Sequence, residues 1–386
     1  MNRQRRPWIV VVGGFLASGK TTLILAAARE LERRGLRCAA LFNDQGSDLV
    51  DSHYAAHSGL RAGEVVGGCF CCRLSGLIEE IHRIQAFGPD VIFAEPVGSC
   101  TDLAATVLRP LRELPWEDGA RMRLAPLTIL ADPRRTRALL DGDEESGMRY
   151  LFEKQLQEAD LVCFTKSDLY PDMPPIHVPN VRQLSAKTGQ GVTAWLDEVL
   201  SGAITAAGRT LDIDYNQYAR AEAALAWLNL RAEFRLHVPC SPAMLLGPLF
   251  DEIDTALSAA GTAIAHMKAI VSTPTGYIKA AIAAHGQEPV VEGDLDASPA
   301  SRQELLLNLR AVGQPEAIRR LVERPLRKFD SQLAQLEIDC FSPAAPVPEQ
   351  RVAAELGRCI PSSSRTTWIE AESEWTTKYK YQSISR

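Results

Sequence analysis

The stretch "GGFLASGKTT" contains G-x-x-x-x-G-K-T from Gly14 to Thr21, and no other feature constrains the fold so strongly. An apolar run, "WIVVVGG" (8–14), precedes it, and a helical pattern, "KTTLILAAARELERRG" (20–35), follows. Strand, glycine-rich turn and helix in that order make a P-loop. Gly14 and Gly19 let the backbone wrap phosphate closely, and successive N–H groups at a helix N-terminus favour the anion. Ser18 and Thr22 complete the cradle. Lys20 reaches the β and γ phosphates, and the Thr21 hydroxyl is placed to ligate Mg²⁺.

The flanking sequence fits the same architecture. Continuous apolar runs at 37–43, 90–95, 124–132, 160–166 and 181–186 alternate with helical patterns such as "RLSGLIEEIHRIQAFG" (73–88). Buried strands separated by helices predict an α/β fold, a P-loop NTPase whose mostly parallel sheet is covered by helices on both faces. That domain spans residues 1–202. Residues 203–217 read as a linker. Residues 218–330 read as strand, helix, three strands and helix, a smaller α+β domain with an antiparallel sheet. From 331 to 386 the pattern fades into "FSPAAPVPEQ" and a polar run, which predicts a poorly ordered tail.

Further motifs follow the P-loop in order. "CFTKSDLY" sets Thr165, Lys166 and Asp168 at a strand end, like the guanine-reading N/T-K-x-D motif. A carboxylate at Asp168 accepts from guanine N1–H and the exocyclic amine, a pair that adenine does not present. "SAKTGQG" places Ser185, Ala186 and Lys187 where backbone would meet guanine O6. "VIFAEPVG" ends a strand on Glu95, which faces the Mg²⁺ and γ-phosphate region in such folds, and Gly98 offers an N–H to the γ-phosphate. "FNDQGSDLVD" follows the second strand. Its Asp44 and Asp51 stand where a nucleotide-responsive switch would order the attacking water or a Mg²⁺-bound water.

Between that switch and the Glu95 strand lies "GGCFCCR", with Cys69, Cys71 and Cys72. A helix entry lowers thiol pKa, and thiolates are soft ligands for Zn²⁺, Cu⁺ or a related ion. Three sulfurs cannot close a tetrahedral site, which suits transfer of metal rather than permanent storage. His53 and His57, four apart, would offer additional ligands if their segment is helical; solvent-exposed histidines are the simpler reading. Nine cysteines without an export signal argue against a disulfide framework. A formal charge of −6 gives no reason to invoke nucleic acid, and no run is long and apolar enough for a membrane span. The expected location is cytoplasmic.

Taken together, the motifs resemble the CobW-type metal-trafficking GTPases, related to HypB and UreG. The resemblance rests on "GGFLASGKTT", "NDQG" through Asp51, "GGCFCC", "EPVG", "TKSD" and "SAKTG", in that order over residues 8–201. It implies slow hydrolysis of GTP to GDP and phosphate with Mg²⁺. It implies zinc or another transition metal on the cysteine motif, and delivery to a metal-requiring client protein or cofactor pathway. Glu95 and Gly98 match the family's Glu-x-x-Gly motif, and a small α+β C-terminal domain is common there. Three departures stand out: Ala17 replaces a usual loop glycine, Asp44 replaces a family glutamate, and "EPVGSCTDL" adds Cys100.

The reading is therefore a GTPase metallochaperone. Lys20, Glu95 and Asp44 serve catalysis, Thr21, Glu95 and Asp51 hold Mg²⁺, and a homodimer is one assembly the reading allows. The alternatives are an ATP-using P-loop kinase or ATPase, against which Asp168 and Ser185–Lys187 speak, and a non-enzymatic GTP- and redox-gated switch.

Overall fold

Apolar β-branched residues drive β1 (Trp8–Gly14) into the centre of a parallel sheet, where Val10, Val11 and Val12 are fully buried. The computed structural model describes residues 6–46, 49–114, 122–142, 146–206 and 209–352. All of them belong to one unit that ends at Val352. After β1 come α1 (Lys20–Arg33), β2 (Cys38–Asn43), α2 (Val50–His57), β3 (Arg61–Val65), α3 (Leu74–Gln85), β4 (Val91–Glu95), α4 (Arg109–Glu113), β5 (Arg123–Leu124) and β6 (Thr128–Ala131). The domain closes with α5 (Pro133–Asp141), α6 (Ser146–Glu158), β7 (Leu161–Phe164), β8 (Val181–Gln183) and α7 (Val192–Ser201).

The strand order is β3-β2-β4-β1-β6-β7-β8, with β5 also on β1, and every pair is parallel. Parallel strands share one C-terminal edge, so the motifs that follow β1, β2, β4, β7 and β8 gather there. Register sharpens this: Phe42 pairs Glu95, and Asn43 pairs Val65. The expected P-loop architecture is the one observed.

The second sheet follows α8 (Tyr215–Ala223). It comprises β9 (Leu225–Cys240), α9 (Pro242–Ala259), β10 (Ile264–Thr273), β11 (Gly276–Ile282), β12 (Val290–Gly293), β13 (Ala300–Val312), α10 (Pro315–Leu326) and β14 (Leu333–Phe341). Its order is β12-β11-β10-β13-β9-β14, antiparallel throughout. Side chains alternate between the two faces. Met267, Ala269, Val271, Leu305, Leu307 and Leu309 share a core with Leu249, Ile253 and Leu257 of α9 and with Ile318 and Val322 of α10. The intervening Ile270 and Leu306 join the core of the parallel sheet instead. Trp227 and Leu225 of β9 do the same on that sheet's other face. The antiparallel sheet therefore lies against the P-loop domain.

Two boundaries differ from the sequence reading. The stretch read as a linker, 203–217, is tied down at its end: Asp214 caps α8, and the Tyr215 hydroxyl donates to Asp102 at 2.7 Å. The stretch read as a poorly ordered tail from 331 contains β14, which pairs β9 from Leu333 to Phe341. Its side chains are mostly exposed, so an edge strand here leaves little hydrophobic alternation to read. Residues 353–386 of that tail lie outside the described residues.

Candidate nucleotide cleft and thiol cluster

The P-loop turns where its glycines must. Gly14 has φ +130°, and a Cβ there would strike the Leu130 backbone. Gly19, at φ +93°, starts α1. Gly19, Lys20, Thr21 and Thr22 line a cleft together with Asn43, Asp44, Asp51, Glu95, Gly98, Thr165, Lys166, Asp168, Ser185, Ala186 and Lys187. Gly14 and Ser18 sit at its base: the Lys20 ammonium donates to the Gly14 carbonyl at 3.0 Å, and Thr165 Oγ1 to the Ser18 carbonyl at 2.8 Å. The Ser18 hydroxyl is buried without a partner among the described residues. Burial lowers the Lys20 pKa, Glu95 opposes that shift, and Lys268 adds to it. An orphaned hydroxyl and crowded ammonium groups fit a polyphosphate. At the far end, Asp168 accepts from the Ser185 hydroxyl at 2.6 Å, and Lys166 pairs with Asp132 at 2.5 Å. These contacts hold Lys166, Asp168 and Ser185 on one wall.

The carboxylates converge on one hydroxyl. Thr21 Oγ1 lies 3.0 Å from Asp51 Oδ1 and 2.9 Å from Glu95 Oε2. One hydroxyl proton can serve only one of these acceptors at a time. Burial, then the neighbouring Asp51, pushes the Glu95 carboxyl up to about 7. For Asp51 burial acts upward too, but Lys268 and Lys279 bring it net below its ordinary value. Crowded hard oxygen donors suit Mg²⁺, and the ammonium of Lys268, paired with Asp51, stands in for part of that charge.

The three expected thiols come together. Cys69 Sγ is 2.8 Å from Cys71 Sγ and 3.3 Å from Cys72 Sγ, with 3.7 Å between the latter two. All three fall in one group able to hold a metal ion. Cys69 and Cys71 are buried, and Cys72 is partly exposed. Hydrogen bonds from Cys100, Cys71 and Cys72 hold the Cys69 thiol well below its usual range; those from Cys100 and Cys69 push Cys71 well above it. One thiolate shared among thiols is the pattern such a cluster favours. A strap from the chain's later part crosses the loop. Val347 N donates to Cys72 Sγ at 3.2 Å and Glu349 N to the Cys71 carbonyl at 3.0 Å. The Glu349 carboxylate accepts from Ser75 N and Oγ at 2.8 and 2.9 Å, and Arg351 pairs with Asp102 at 2.6 Å. His53 and His57 do not join this group: α2 is helical, but His57 stacks on Tyr277 of the second sheet at 4.4 Å.

Residues 8–189 match the family description "CobW/HypB/UreG, nucleotide-binding domain". The match covers the P-loop domain and stops at residue 189. Zinc chaperone YeiR of Escherichia coli (strain K12) is 32% identical over 163 residues, 41% of this chain and 46% of the relative. Zinc chaperone CobW of Sinorhizobium sp is 29% identical over 185 residues, 41% of this chain and 50% of the relative. The matches thus span about half the length of either relative. HypB from Helicobacter pylori in complex with nickel aligns with a TM-score of 0.37 at 13% identity, over 54% of this chain and 93% of that one. The fold itself rests on the strand order above.

The second sheet supplies groups to the cleft that sequence reasoning missed. His266, Lys268, Lys279, Glu292, Asn308 and Arg310 all line it. Arg310 pairs with Asp44 at 2.7 Å, and Asn308 Oδ1 accepts from Val50 N at 3.0 Å. The Tyr54 hydroxyl donates to Glu292 at 2.7 Å. Burial, Lys268, Lys20 and Arg310 drive the His266 pKa well below its usual value. Asp44, Val50, Asp51 and Tyr54, in the segment expected to be a switch, are therefore clasped by β10, β12 and β13. Among the described residues, no helix is long and apolar enough to cross a membrane.

Proposed function

We propose that the chain binds GTP with Mg²⁺, hydrolyses it to GDP and phosphate, and carries a transition metal on Cys69, Cys71 and Cys72 for a metal-requiring client. Zinc is the proposed cargo, in keeping with the names of the two curated relatives. The observation that carries the reading is Asn43, at the end of β2. It lines the nucleotide cleft, and its carboxamide donates to the carbonyls of Val65 and Gly68, both at 2.8 Å. Its oxygen accepts from Phe70 N at 2.7 Å. One side chain thus joins the nucleotide cleft to the loop that bears the thiols, and a change at one must be felt at the other.

Each residue then has a task. Lys20 and the P-loop amides bind the phosphates and offset charge that develops on them. Thr21, Asp51 and Glu95 would hold Mg²⁺, which supplies further charge neutralisation when bound. Asp168, oriented by Ser185, selects guanine, while Thr165 and Lys166 fasten that wall to the P-loop. A Cβ at Gly98 would lie 2.8 Å from Leu16 Cδ2 and 3.1 Å from Leu16 N, so glycine lets this turn pack close to the P-loop, where its N–H would meet a γ-phosphate. Asp44, held by Arg310, orients water near the phosphates. GTP turnover should be measured with and without Zn²⁺ in wild type and in a Cys71→Ser/Cys72→Ser variant. Zinc-sensitive turnover in wild type alone supports the reading; equal metal affinity in both proteins removes the metal site. Equal competition by ATP would remove the guanine assignment.

A further inference from the structure

We propose that Cys100 is a fourth sulfur of the thiol site, so that the metal sits between Cys69, Cys71 and Cys72 of the loop after β3 and Cys100 of the segment after β4. The inference rests on the metal-site reading above and completes it. Cys100 is 1% exposed and packs in one core cluster with Cys69, Cys71, Phe15 and Leu16. Cys100 is the neighbour that most shifts the ionisation of both Cys69 and Cys71, lowering the one and raising the other. Three sulfurs within 3.7 Å of one another leave one corner of a tetrahedron open. Cys100 comes from a different strand end than the other three, which a tetrahedral site needs if one short loop is not to wrap the whole ion.

The neighbourhood fixes that fourth corner. Cys100 N donates to the Val97 carbonyl at 2.9 Å, closing a turn that contains Gly98. The Gln155 carboxamide donates to the carbonyls of Gly98 and Cys100 at 3.0 and 2.8 Å, so the two residues are held as one piece. Ser99 between them donates its hydroxyl to the buried Glu222. The other Glu222 oxygen is buried without a partner among the described residues, leaving capacity to steady a shell of ligands. Soft donors of this kind take Zn²⁺, Co²⁺ or Cd²⁺, each thiol releasing its proton to solvent as it binds.

Co²⁺-loaded full-length protein, prepared anaerobically, reports the number of sulfur ligands through thiolate-to-cobalt absorbance. In Cys100→Ser this intensity should fall by about a quarter, four thiolates becoming three. Zn²⁺ affinity, read by competition with a chromophoric chelator, should weaken on the order of tenfold or more. A Cys100→Ser protein with wild-type absorbance and wild-type affinity overturns the proposal. Should that variant not fold, zinc X-ray absorption of the wild type decides: four sulfurs support it, three sulfurs with a lighter atom overturn it. A Cys69→Ser/Cys71→Ser/Cys72→Ser variant separates the two readings. If it keeps the metal, the three-thiol reading falls; if it loses the metal while Cys100→Ser keeps it, only the present proposal falls.

Discussion

Replacing Lys268 with methionine tests whether the second sheet holds the proposed Mg²⁺ site in a waiting state. The Lys268 and Asp51 side chains are 12% and 14% exposed, so their ion pair is largely withdrawn from water. Removing one partner of a buried pair costs about 3–5 kcal/mol, because the remaining charge is stranded. Lys279 still acts on Asp51, which places the loss near the lower end, about 3 kcal/mol. Urea unfolding of the nucleotide-free protein should show that loss. With GDP and saturating Mg²⁺ the divalent ion takes over the charge of Asp51, and the loss should shrink to about 1 kcal/mol. The thermodynamic cycle then requires the variant to bind GDP·Mg²⁺ more tightly by about 2 kcal/mol, roughly 30-fold. Calorimetry measures that directly. A destabilisation that is the same with and without Mg²⁺ would refute the reasoning and leave Lys268 as a fastening between domains.

Three other outcomes follow from single contacts. Asn43→Ala removes three hydrogen bonds, about 3 kcal/mol at roughly 1 kcal/mol each, and should abolish any difference in Zn²⁺ affinity between the GDP-bound and GTP-analogue-bound states; a preserved difference would show that the coupling runs elsewhere. Asp168→Ala should reduce the preference for GTP over ATP on the order of 100-fold, measured by competition, with little change in the affinity for inorganic phosphate. Burial pushes the Glu222 carboxyl up to about 8 from an ordinary 4.5, so between those values the folded chain binds more protons and stability falls as pH rises. Glu222→Gln should therefore match wild type near pH 4 and exceed it by about 3 kcal/mol at pH 7, read as a shift in the urea midpoint.

That the motif residues share one cleft, and that the three thiols cluster, was legible because each motif is local. The P-loop, "TKSD" and "SAKTG" each lie within ten residues, and parallel strands bring their ends to one edge without further information. The second sheet's part was hidden for a definite reason. His266, Lys268, Asn308 and Arg310 occupy alternate positions on β10 and β13, the pattern of a solvent-facing surface, and they face the cleft instead. Their partners lie more than 200 residues away, as Lys268 to Asp51 and Arg310 to Asp44 show. Cys100 carried one signal that could be followed: a thiol two residues beyond Gly98, where the family resemblance leads one to expect something else.

The strap over the thiol loop bears on the order of events when metal changes hands. Cys69, Cys71 and Cys100 are buried, whereas Cys72 reaches the surface beneath Val347. On the proposed function, a donor or a receiving protein would meet the ion along the Cys72 side. The backbone amide of Val347 already donates to the Cys72 sulfur, so exchange would wait on the strap. Transfer would then be directional, and a client would displace the strap at Val347 and Glu349 to reach the site.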